Sequence, residues 1–580
     1  MTPSSRSDIR QSRLLFGYLP LLLVAAAVVV MVFVAPSDRD NGDAEGTGTG
    51  AGASTPVASA PATDASGTEP AGTAPDSAPS AAAADPNIGT TASGWGASVT
   101  PCEGREAQVF SGYSPPCFEF SGDNGGATAR GVTEDTITVS YRYLTDGHLI
   151  GTLSALGGNA VDEDAEDLWR TTEGLIEYFN AHYQFYGRQI QLERFDGTGS
   201  LTAELTGGGQ EGATHDALVA IDLDSFADVD SGLQSTQPYA EALTANGVIT
   251  IGVNYMSREW FQDRAPYAWS ALPDCTLVAE VSGDVGGQIL LPQPAVLAGG
   301  DMTGRPRKLG VVHPNNPEYT RCVEVSNARI EAAGYEVALL QNYTLDLAAT
   351  SSNAASILAR LKDAEITSVA CACDPLMMQA LAAAAEAQEY YPEWFIVGVG
   401  YIDLDLVGQM ISAASGSQWT RAIGGSPSAA PVPFGESEAY HAYRSVRGDE
   451  PSIAIDVIYA QLMRLVIGIQ MAGPELTPQT FETGMFNYPE GNGLLGAWDF
   501  APDNRAGLID VRLIFWQPNI PSPFNGLPGT YVDTGERFRE ISQAPTQDEL
   551  IALGEELGVV PGDDQADHAG TTPDTTEAAG

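Results

Sequence analysis

Lysine is almost absent from this sequence, because Lys308 and Lys362 are the only two lysines in 580 residues. The formal net charge is -48, since 75 acidic residues outnumber 27 basic ones. Nucleic acids and anionic lipid surfaces are bound through clusters of basic side chains, so this composition argues against both as partners. Such an acidic surface is typical of a protein that stays soluble outside the cell.

The usual signatures of catalysis and metal binding are also missing. The six histidines show no HxxxH or HxH spacing, and the chain has no GxSxG elbow and no GxxxxGK[ST] phosphate loop. The segment GVGYID contains Gly398, Gly400 and Asp403 but lacks the third glycine of a dinucleotide-binding loop. We therefore predict no catalytic residue, no metal site, no cofactor and a protein that is not an enzyme.

Both ends of the chain are poor in large apolar residues and cannot bury enough surface to offset the entropy of folding. Residues 37–95, rich in Ala, Gly, Ser, Thr, Pro and Asp, are predicted to be a disordered linker. Residues 546–580 are predicted to be a short helix and a disordered acidic tail. The folded domain is therefore expected at residues 96–545.

Residues 14–36 form an uncharged apolar run of 23 residues. As a helix this run spans about 34 Å, enough for the ~30 Å hydrocarbon core of a membrane. A cleavable signal usually has a shorter apolar core, so an uncleaved anchor is favoured over a signal segment. Arginines precede the run and acidic residues follow it, which places residues 1–13 in the cytoplasm and the main domain outside. We predict a single-pass protein of the cell membrane.

The six cysteines are an even number in a chain that is predicted to be exported, which permits disulfides. Cys102 and Cys117 bracket a segment rich in Pro, Gly and Ser, and we expect them to form a local bridge. The remaining four allow three pairings, which the sequence leaves open: Cys275, Cys322, Cys371 and Cys373.

The run ITSVACAC, followed by Asp374 and a proline, ends in two closely spaced cysteines. In a strand Cys371 and Cys373 point to the same face, and their spacing is closer than that of zinc or thiol-disulfide motifs. We expect buried thiols, or one of them bridged to Cys275 or Cys322. Asp374 has the position of a helix N-cap, either as a cap alone or as a cap that also contacts a ligand.

From residue 131 onward, short β-branched runs alternate with amphipathic helical stretches, which is typical of an α/β fold with parallel sheets. Two such sets are separated by a Gly- and Pro-containing segment at 297–307. We predict lobe 1 at about 131–300 and lobe 2 at about 301–450, each with a later crossover segment. The first-lobe strands are predicted at TITVSYRYL (136–144), QIQLERFD, ALVAIDL (217–223) and GVITIGV (247–253).

The second-lobe strands are predicted at RKLGVVH (307–313), YEVALLQ, ITSVACAC and WFIVGVG. Open α/β sheets bind ligands beyond the carboxyl ends of their strands, and pockets favour the junction between domains. The site is therefore predicted at the strand-end loops that face the cleft between the two lobes.

Several segments resemble the type I periplasmic solute-binding proteins, in particular the branched-chain amino acid class of ABC transporter substrate-binding proteins. The resemblance covers about residues 131–520. The segments that carry it are GVTEDTITVSYRYLTDG, EGLIEYFNAHYQFYGRQIQLERFD, RKLGVVHPNNPEYTRCVEVSNARIEAAGYEV and ILARLKDAEITSVACACDPLMMQALAAAAEAQEYYPEWFIVG. A large actinobacterial subgroup is similar at GDNGGATARGVT, YYPEWFIVG, SQWTRAIG and AGPELTPQTFETGMFNYP.

The resemblance implies a two-lobe fold, each lobe a mainly parallel sheet flanked by helices, that closes on a small ligand such as an amino acid. It implies that first-lobe hydroxyls and amides hold a carboxylate and that second-lobe acidic or aromatic groups hold an ammonium. Asn254-Tyr255 replaces the small and hydroxyl residues that the family usually has there. The ligand-binding positions implied by the resemblance are Thr145, Asp146, Asp224, Ser225, Asn254, Tyr255, Tyr319, Asp374, Tyr401 and Asp403.

The function implied by the resemblance is a membrane-anchored extracytoplasmic substrate-binding protein that delivers a solute to an ABC permease. The same fold also serves ectodomains that sense a ligand or bind a partner without transport, because a fold hosts unrelated functions. Both readings stay open at the level of sequence. The short cytoplasmic segment, residues 1–13, argues against signalling within this chain.

Overall fold

The computed structural model describes residues 98–149, 162–229, 235–253, 255–398 and 401–557. All of them lie within one compact unit, Ala78–Gly580. The predicted membrane anchor and the whole of the predicted linker lie outside the described residues, as does the acidic tail beyond residue 557.

The strands of the described ranges carry the numbers β1 to β16 in chain order. They are β1 Val99–Pro101, β2 Phe118–Phe120, β3 Thr136–Tyr143, β4 Gln189–Asp196, β5 Ala227–Val229, β6 Ile249–Ile251, β7 Ala268–Trp269, β8 Leu309–Pro314, β9 Val337–Tyr343, β10 Ser368–Cys371, β11 Glu393–Ile396, β12 Ala422–Ser426, β13 Gly491–Gly493, β14 Gly496–Trp498, β15 Arg512–Pro521 and β16 Pro528–Val532.

The α-helices carry the numbers α1 to α14. They are α1 Ala165–His182, α2 Leu201–Leu205, α3 Gln210–Asp222, α4 Gln237–Ala245, α5 Arg258–Gln262, α6 Cys275–Asp284, α7 Pro317–Ala332, α8 Thr350–Asp363, α9 Pro375–Ala387, α10 Asp405–Ser415, α11 Glu438–Val446, α12 Ile455–Ala472, α13 Pro478–Asn487 and α14 Gln547–Glu556. A π-helix, Val285–Leu290, continues α6, and short 3-10 turns lie at Gly300–Met302, Gln418–Arg421, Phe434–Glu436 and Ile541–Gln543.

The first lobe is built on a five-stranded sheet in the order β4-β3-β5-β6-β7, in which every neighbouring pair is parallel. β3 pairs with β4 along its whole length, from Thr136 opposite Gln189 to Tyr143 opposite Asp196. The side chains of Ile137, Val139 and Tyr141 alternate along β3 and are completely buried. The predicted α/β class with parallel sheets is confirmed.

The third strand of this sheet is not the predicted one. The run ALVAIDL is helical, because all but its last residue belongs to α3. The buried alanines Ala213, Ala217 and Ala220 recur at the helical period, whereas Leu218 within the run is half exposed. The strand between β3 and β6 is β5, which begins after the run has ended.

The second lobe is built on a seven-stranded sheet in the order β16-β15-β12-β11-β10-β8-β9. Strands β8 to β12 are parallel to one another, whereas β15 is antiparallel to both β12 and β16. The last two strands therefore close one edge of the sheet with chain that comes late in the sequence.

The chain passes between the lobes three times. It leaves the first lobe after β7, since α6 packs against α7 in the second lobe. It returns after β12, because α11 and α12 both pack on α1. The third passage lies between β14 and β15, which joins the second sheet. The first passage is near residues 270–274, earlier than the boundary expected at 300.

Helix α12 is the central element of the first lobe, and nearly all of its side chains are buried. Among the described residues it is the one helix long and apolar enough to cross a membrane, and 89% of its apolar window is buried within the fold. Such burial is typical of the core helix of a folded domain. Its contacts with β6 and α13 fix its position against the sheet.

The six cysteines form three disulfides: Cys102–Cys117, Cys275–Cys322 and Cys371–Cys373. The first is the predicted bridge. The expectation of thiols at 371 and 373, or of a bridge from one of them to Cys275 or Cys322, is wrong. The strand ends at Cys371, and the Cα atoms of the pair are 5.0 Å apart. Two residues of extended strand would separate them by about 6.6 Å, so the chain bends there.

Candidate ligand-binding cleft

A cavity of about 210 Å³ lies between the two lobes. Tyr255 and Ala271 line it from the first lobe, and Tyr401 and Leu404 line it from the second. The segments that pass between the lobes also form its wall, including Pro427–Val432. Because Tyr255 follows β6 and Tyr401 follows β11, the cavity lies at the carboxyl ends of strands from both sheets. This is the location that the sequence predicts for a ligand.

Most of the cavity wall is apolar. Leu406, Val432, Val457, Leu495 and Phe524 are among its lining residues. Sites for small organic ligands usually combine such a wall with a few polar groups that orient the ligand. The ionisable side chains in this wall are Asp403, Asp405, Asp456, Arg464 and Arg512, together with the two tyrosines.

Tyr255 and Tyr401 meet across the cleft. Their ring centroids are 5.6 Å apart, with an interplanar angle of 75°. Both residues have left-handed backbone conformations, with φ of 65° for Tyr255 and 60° for Tyr401. Bulky residues rarely adopt this conformation, and such strain is found at ligand clamps and other functional sites. The two strand-end turns thus direct one aromatic side chain from each lobe to the same point.

Tyr255 and Tyr319, two tyrosines predicted to contact a ligand, have raised pKa values. Burial is the main cause that raises the pKa of Tyr255 well above its usual value, and Tyr401, Tyr319 and Asp403 raise it further. Burial, and then the charge of Asp374, raises the pKa of Tyr319. Neutral phenols offer a ligand both a hydrogen-bond donor and an acceptor.

Asp403 is buried in the second-lobe wall. Its Oδ2 accepts a hydrogen bond of 2.6 Å from the Ser426 hydroxyl, at the end of β12. The same oxygen accepts a longer one, 3.4 Å, from the Ser428 amide. These hydrogen bonds connect the turn after β11 to the segment that leaves β12.

Two of the other charged groups are engaged within the protein. Asp405 accepts hydrogen bonds from the hydroxyls of Ser522 and Thr530, and Arg512 forms an ion pair with Asp533 at 2.9 Å. Burial raises the pKa of Asp405, although these hydrogen bonds oppose the change. Asp456 lies on α12. Its pKa is raised, because the effect of burial outweighs the opposing effect of Ser437.

Thr145 and Asp146 follow β3 and do not line the cavity. Asp146 accepts hydrogen bonds from the Ser200 hydroxyl at 2.7 Å and from the backbone amides of Leu201 and Thr202. Partial burial would raise its pKa, but these hydrogen bonds hold the pKa below its usual value. Its carboxylate thus supports the start of the short helix α2, and Thr145 is exposed.

Asp224 and Ser225 lie at the wrong end of their strand for the predicted role. They were expected to follow the third strand, but they precede β5, because the run before them is helical. They adjoin Gly131, which comes before β3, at the amino edge of the sheet. Asn254 lies outside the described residues, so its predicted position is not described.

Asp374 caps α9, as its sequence position predicts. Its Oδ1 accepts hydrogen bonds from the amides of Leu376 and Met377, and its Oδ2 accepts one of 2.6 Å from Tyr343. It does not line the interlobe cavity. Tyr319 lines a separate apolar cavity of about 50 Å³ between α6, α7 and the second sheet. That volume is close to that of one or two water molecules and is too small for a solute.

Of the predicted site residues within the described ranges, Tyr255, Tyr401 and Asp403 line the cleft. Sequence reasoning missed the contribution of α12, which lines it with Val457, Ala460 and Arg464. The sequence does contain a signal for this contribution, because Arg464 is a charged residue within a long apolar helical run. Charged residues are rarely buried without a partner, so its presence there indicates a functional position. Among the described residues no cluster of His, Cys, Asp and Glu is suited to hold a metal ion.

The chain is similar in structure to solved type I periplasmic binding proteins, mainly ABC transporter substrate-binding proteins for branched-chain amino acids. One is a leucine-, isoleucine-, valine-, threonine- and alanine-binding protein from Brucella ovis, with 15% identity and a TM-score of 0.49 over 70% of this chain and 95% of that one. No protein-family model and no curated protein matches the sequence.

Two further solved structures are similar to a comparable extent. A fatty acid ABC transporter substrate-binding protein from Thermomonospora curvata has 16% identity and a TM-score of 0.48, over 72% of this chain and 97% of that one. A type 1 periplasmic binding protein from Bordetella pertussis has 14% identity and a TM-score of 0.46, over 66% of this chain and 96% of that one. At this level of similarity, none of these proteins indicates which ligand this chain binds.

Proposed function

We propose that this chain is an extracytoplasmic substrate-binding protein that captures a small solute between its lobes and delivers it to an ABC-type importer. Residues 14–36 would anchor it to the membrane. The observation that carries the proposal is the 210 Å³ cavity at the strand ends of both sheets, with an apolar wall and few polar groups. The chemistry requires only binding, so no catalytic group is assigned.

The proposed mechanism is closure of the two lobes on the solute. A solute that contacts both lobes binds the closed arrangement more tightly than the open one and shifts the population toward it. The Tyr255–Tyr401 contact belongs to the closed arrangement, because each ring comes from a different lobe. The three chain passages between the lobes are where bending would occur.

The first test is thermal unfolding of the full-length protein in mild detergent with pools of amino acids, short peptides, polyamines, sugars and aromatic acids. A ligand at 100 times its dissociation constant stabilises the fold by about 2.7 kcal/mol, which is a readable shift in Tm. We expect one pool to give a saturable shift. If protein that is folded and free of carried-over ligand responds to none, the fold serves instead as a partner-binding ectodomain.

A pair of variants locates the binding. Ala460→Phe places a ring in the cavity wall, whereas Ala387→Phe makes the same change at an exposed position of α9. We expect Ala460→Phe to abolish the ligand-induced shift and Ala387→Phe to retain it. Equal shifts in both variants would show that the solute binds elsewhere.

A further inference from the structure

Arg464 is a buried cation at the interlobe cavity. It lies on α12 one turn beyond Ala460, and both residues line the cavity. The side chain is only 3% exposed. Its guanidinium carbon lies 3.8 Å from the centre of the Trp498 ring, another lining residue. The aromatic face holds the guanidinium in place through a cation–π contact.

Arg464 forms no ion pair with any of the described residues. Its nitrogens donate only to backbone oxygens, to Ala506 from Nε and Nη2 and to Ala460 from Nη1. Within the described part of the chain no carboxylate lies within 4.0 Å of it, in contrast to the buried arginines Arg142 and Arg307, which pair with Glu204 and Glu393. A guanidinium has five N–H donors, so two remain for a ligand.

An uncompensated buried charge is expensive to maintain. Burial lowers the pKa of Arg464 to about 9, so the group still carries its charge at neutral pH. An anion in the cavity would compensate this charge and would accept the two remaining hydrogen bonds. Carboxylates suit a guanidinium best, because the two groups can form parallel hydrogen bonds.

We propose that the solute is a small monocarboxylic acid with a hydrocarbon or aromatic body, whose carboxylate pairs with Arg464. This inference rests on the proposed function, since it names the ligand of the same cleft. The apolar wall takes the body, and a cavity of about 150 Å³ holds a benzene molecule, so 210 Å³ accommodates a ring or short chain with its carboxylate. Arg512, the other arginine of the cavity wall, is paired with Asp533, so Arg464 is left to bind one carboxylate.

The same geometry disfavours an α-amino acid. Its ammonium lies beside its own carboxylate and would therefore be brought next to Arg464, and no carboxylate of the described residues lies within 4.0 Å of that side chain. Asp456 is eight residues away on α12, which corresponds to about 12 Å along the helix axis. The cleft should thus select acids that lack the α-ammonium group.

The test compares matched ligands by isothermal titration of the full-length protein. The acids are 3-phenylpropionate and hexanoate. Each has a neutral counterpart, the corresponding amide, and an α-amino counterpart, phenylalanine for the first and norleucine for the second. We expect each acid to bind about tenfold or more tightly than both counterparts, as a charge-assisted contact provides.

Substitutions of Arg464 test whether this residue causes the preference for acids over amides. Arg464→Met removes the charge at similar size and should bring acid and amide within about threefold of each other, while Arg464→Lys should retain part of the preference. Arg444→Met, outside the cavity on α11, should leave the preference unchanged. The comparison of acid, amide and amino acid in the native chain remains decisive if Arg464→Met does not fold.

The outcomes separate this inference from the proposed function. Tighter binding of the amino acids or amides, or binding only from a pool without acids, overturns the assignment of the ligand class but leaves solute binding in place. An acid preference that persists in folded Arg464→Met overturns the role of Arg464. Absence of any binding from every pool overturns both proposals.

Discussion

The ring of Tyr255 in the first lobe contacts the ring of Tyr401 in the second, edge to face, at the end of a strand in each sheet. This is a direct side-chain contact between the lobes at the cavity. Because both backbones are in the left-handed region, the contact combines local strain with an interaction that exists only when the lobes are close.

The energy of this contact can be measured by a double-mutant cycle. We expect Tyr255→Ala and Tyr401→Ala to couple by about 0.5 to 1.5 kcal/mol, the usual value for an aromatic pair. Urea unfolding of the single and double variants gives the coupling. As a control, Tyr255→Ala is combined with Tyr335→Ala, at an exposed position beyond α7. The changes in the free energy of unfolding of these two variants should add. A coupling near zero for the first pair would mean that the lobes are apart in solution.

Asp274 should make the stability depend on pH. It caps α6 because its Oδ1 accepts a hydrogen bond of 2.8 Å from the Leu277 amide, and burial raises its pKa to about 6. The folded protein therefore binds a proton that the unfolded chain releases near pH 4. The stability due to this group is complete below pH 4 and is lost as the pH rises through 6.

Asp274→Asn keeps the cap without the charge. We expect this variant to be more stable than the native protein by about 1 to 3 kcal/mol at pH 7.5 and to lose the advantage at pH 4. Chemical unfolding at a series of pH values measures the difference. An advantage that is independent of pH would show that ionisation of Asp274 is not its cause.

The disulfides should differ in their contributions to stability. Cys275 and Cys322 are 47 residues apart, whereas Cys371 and Cys373 are two apart. The chain-entropy estimate is about 4 kcal/mol for the long loop and below about 2 kcal/mol for the short one. Unfolding of the two double Cys→Ala variants under non-reducing conditions should follow this order. The reverse order would mean that packing around the short bridge, rather than loop entropy, dominates.

Asp374 should affect stability more than ligand binding. Asp374→Ala removes the cap of α9 and should destabilise the fold by about 1 to 2 kcal/mol, whereas Asp374→Asn keeps a capping side chain. Because Asp374 does not line the cavity, we expect both variants to retain the ligand-induced shift in Tm. A folded Asp374→Asn variant that no longer responds to ligand would place the carboxylate in the binding site.

The alternation of apolar runs and helical stretches was sufficient to predict two mainly parallel sheets flanked by helices, because the period of the apolar residues reflects burial directly. It was not sufficient for 217–223, where a short apolar run suits either a strand or one face of a helix. That single error displaced Asp224 and Ser225 to the opposite edge of the sheet. Tyr255 and Tyr401 were predictable, since they follow strands that were correctly located.

Other features depend on the packing of segments that are distant in sequence. The pairing of Cys275 with Cys322 depends on how α6 packs against α7. The exposure of Arg464 to the cavity depends on the rotation of α12, and its lack of a carboxylate partner is a property of the folded neighbourhood. Neither the pairing of these cysteines nor the position of Arg464 at the cavity can therefore be predicted from residue types and spacing.

The three chain passages mean that neither lobe is a continuous stretch of the gene. Phe179 of α1 stacks on Tyr459 of α12, with ring centroids 5.5 Å apart, although some 280 residues separate them. During synthesis at about 5 to 20 residues per second, on the order of 14 to 56 seconds pass between the appearance of Phe179 and that of Tyr459. An incomplete first lobe therefore leaves the apolar face of α1 open to aggregation for that time.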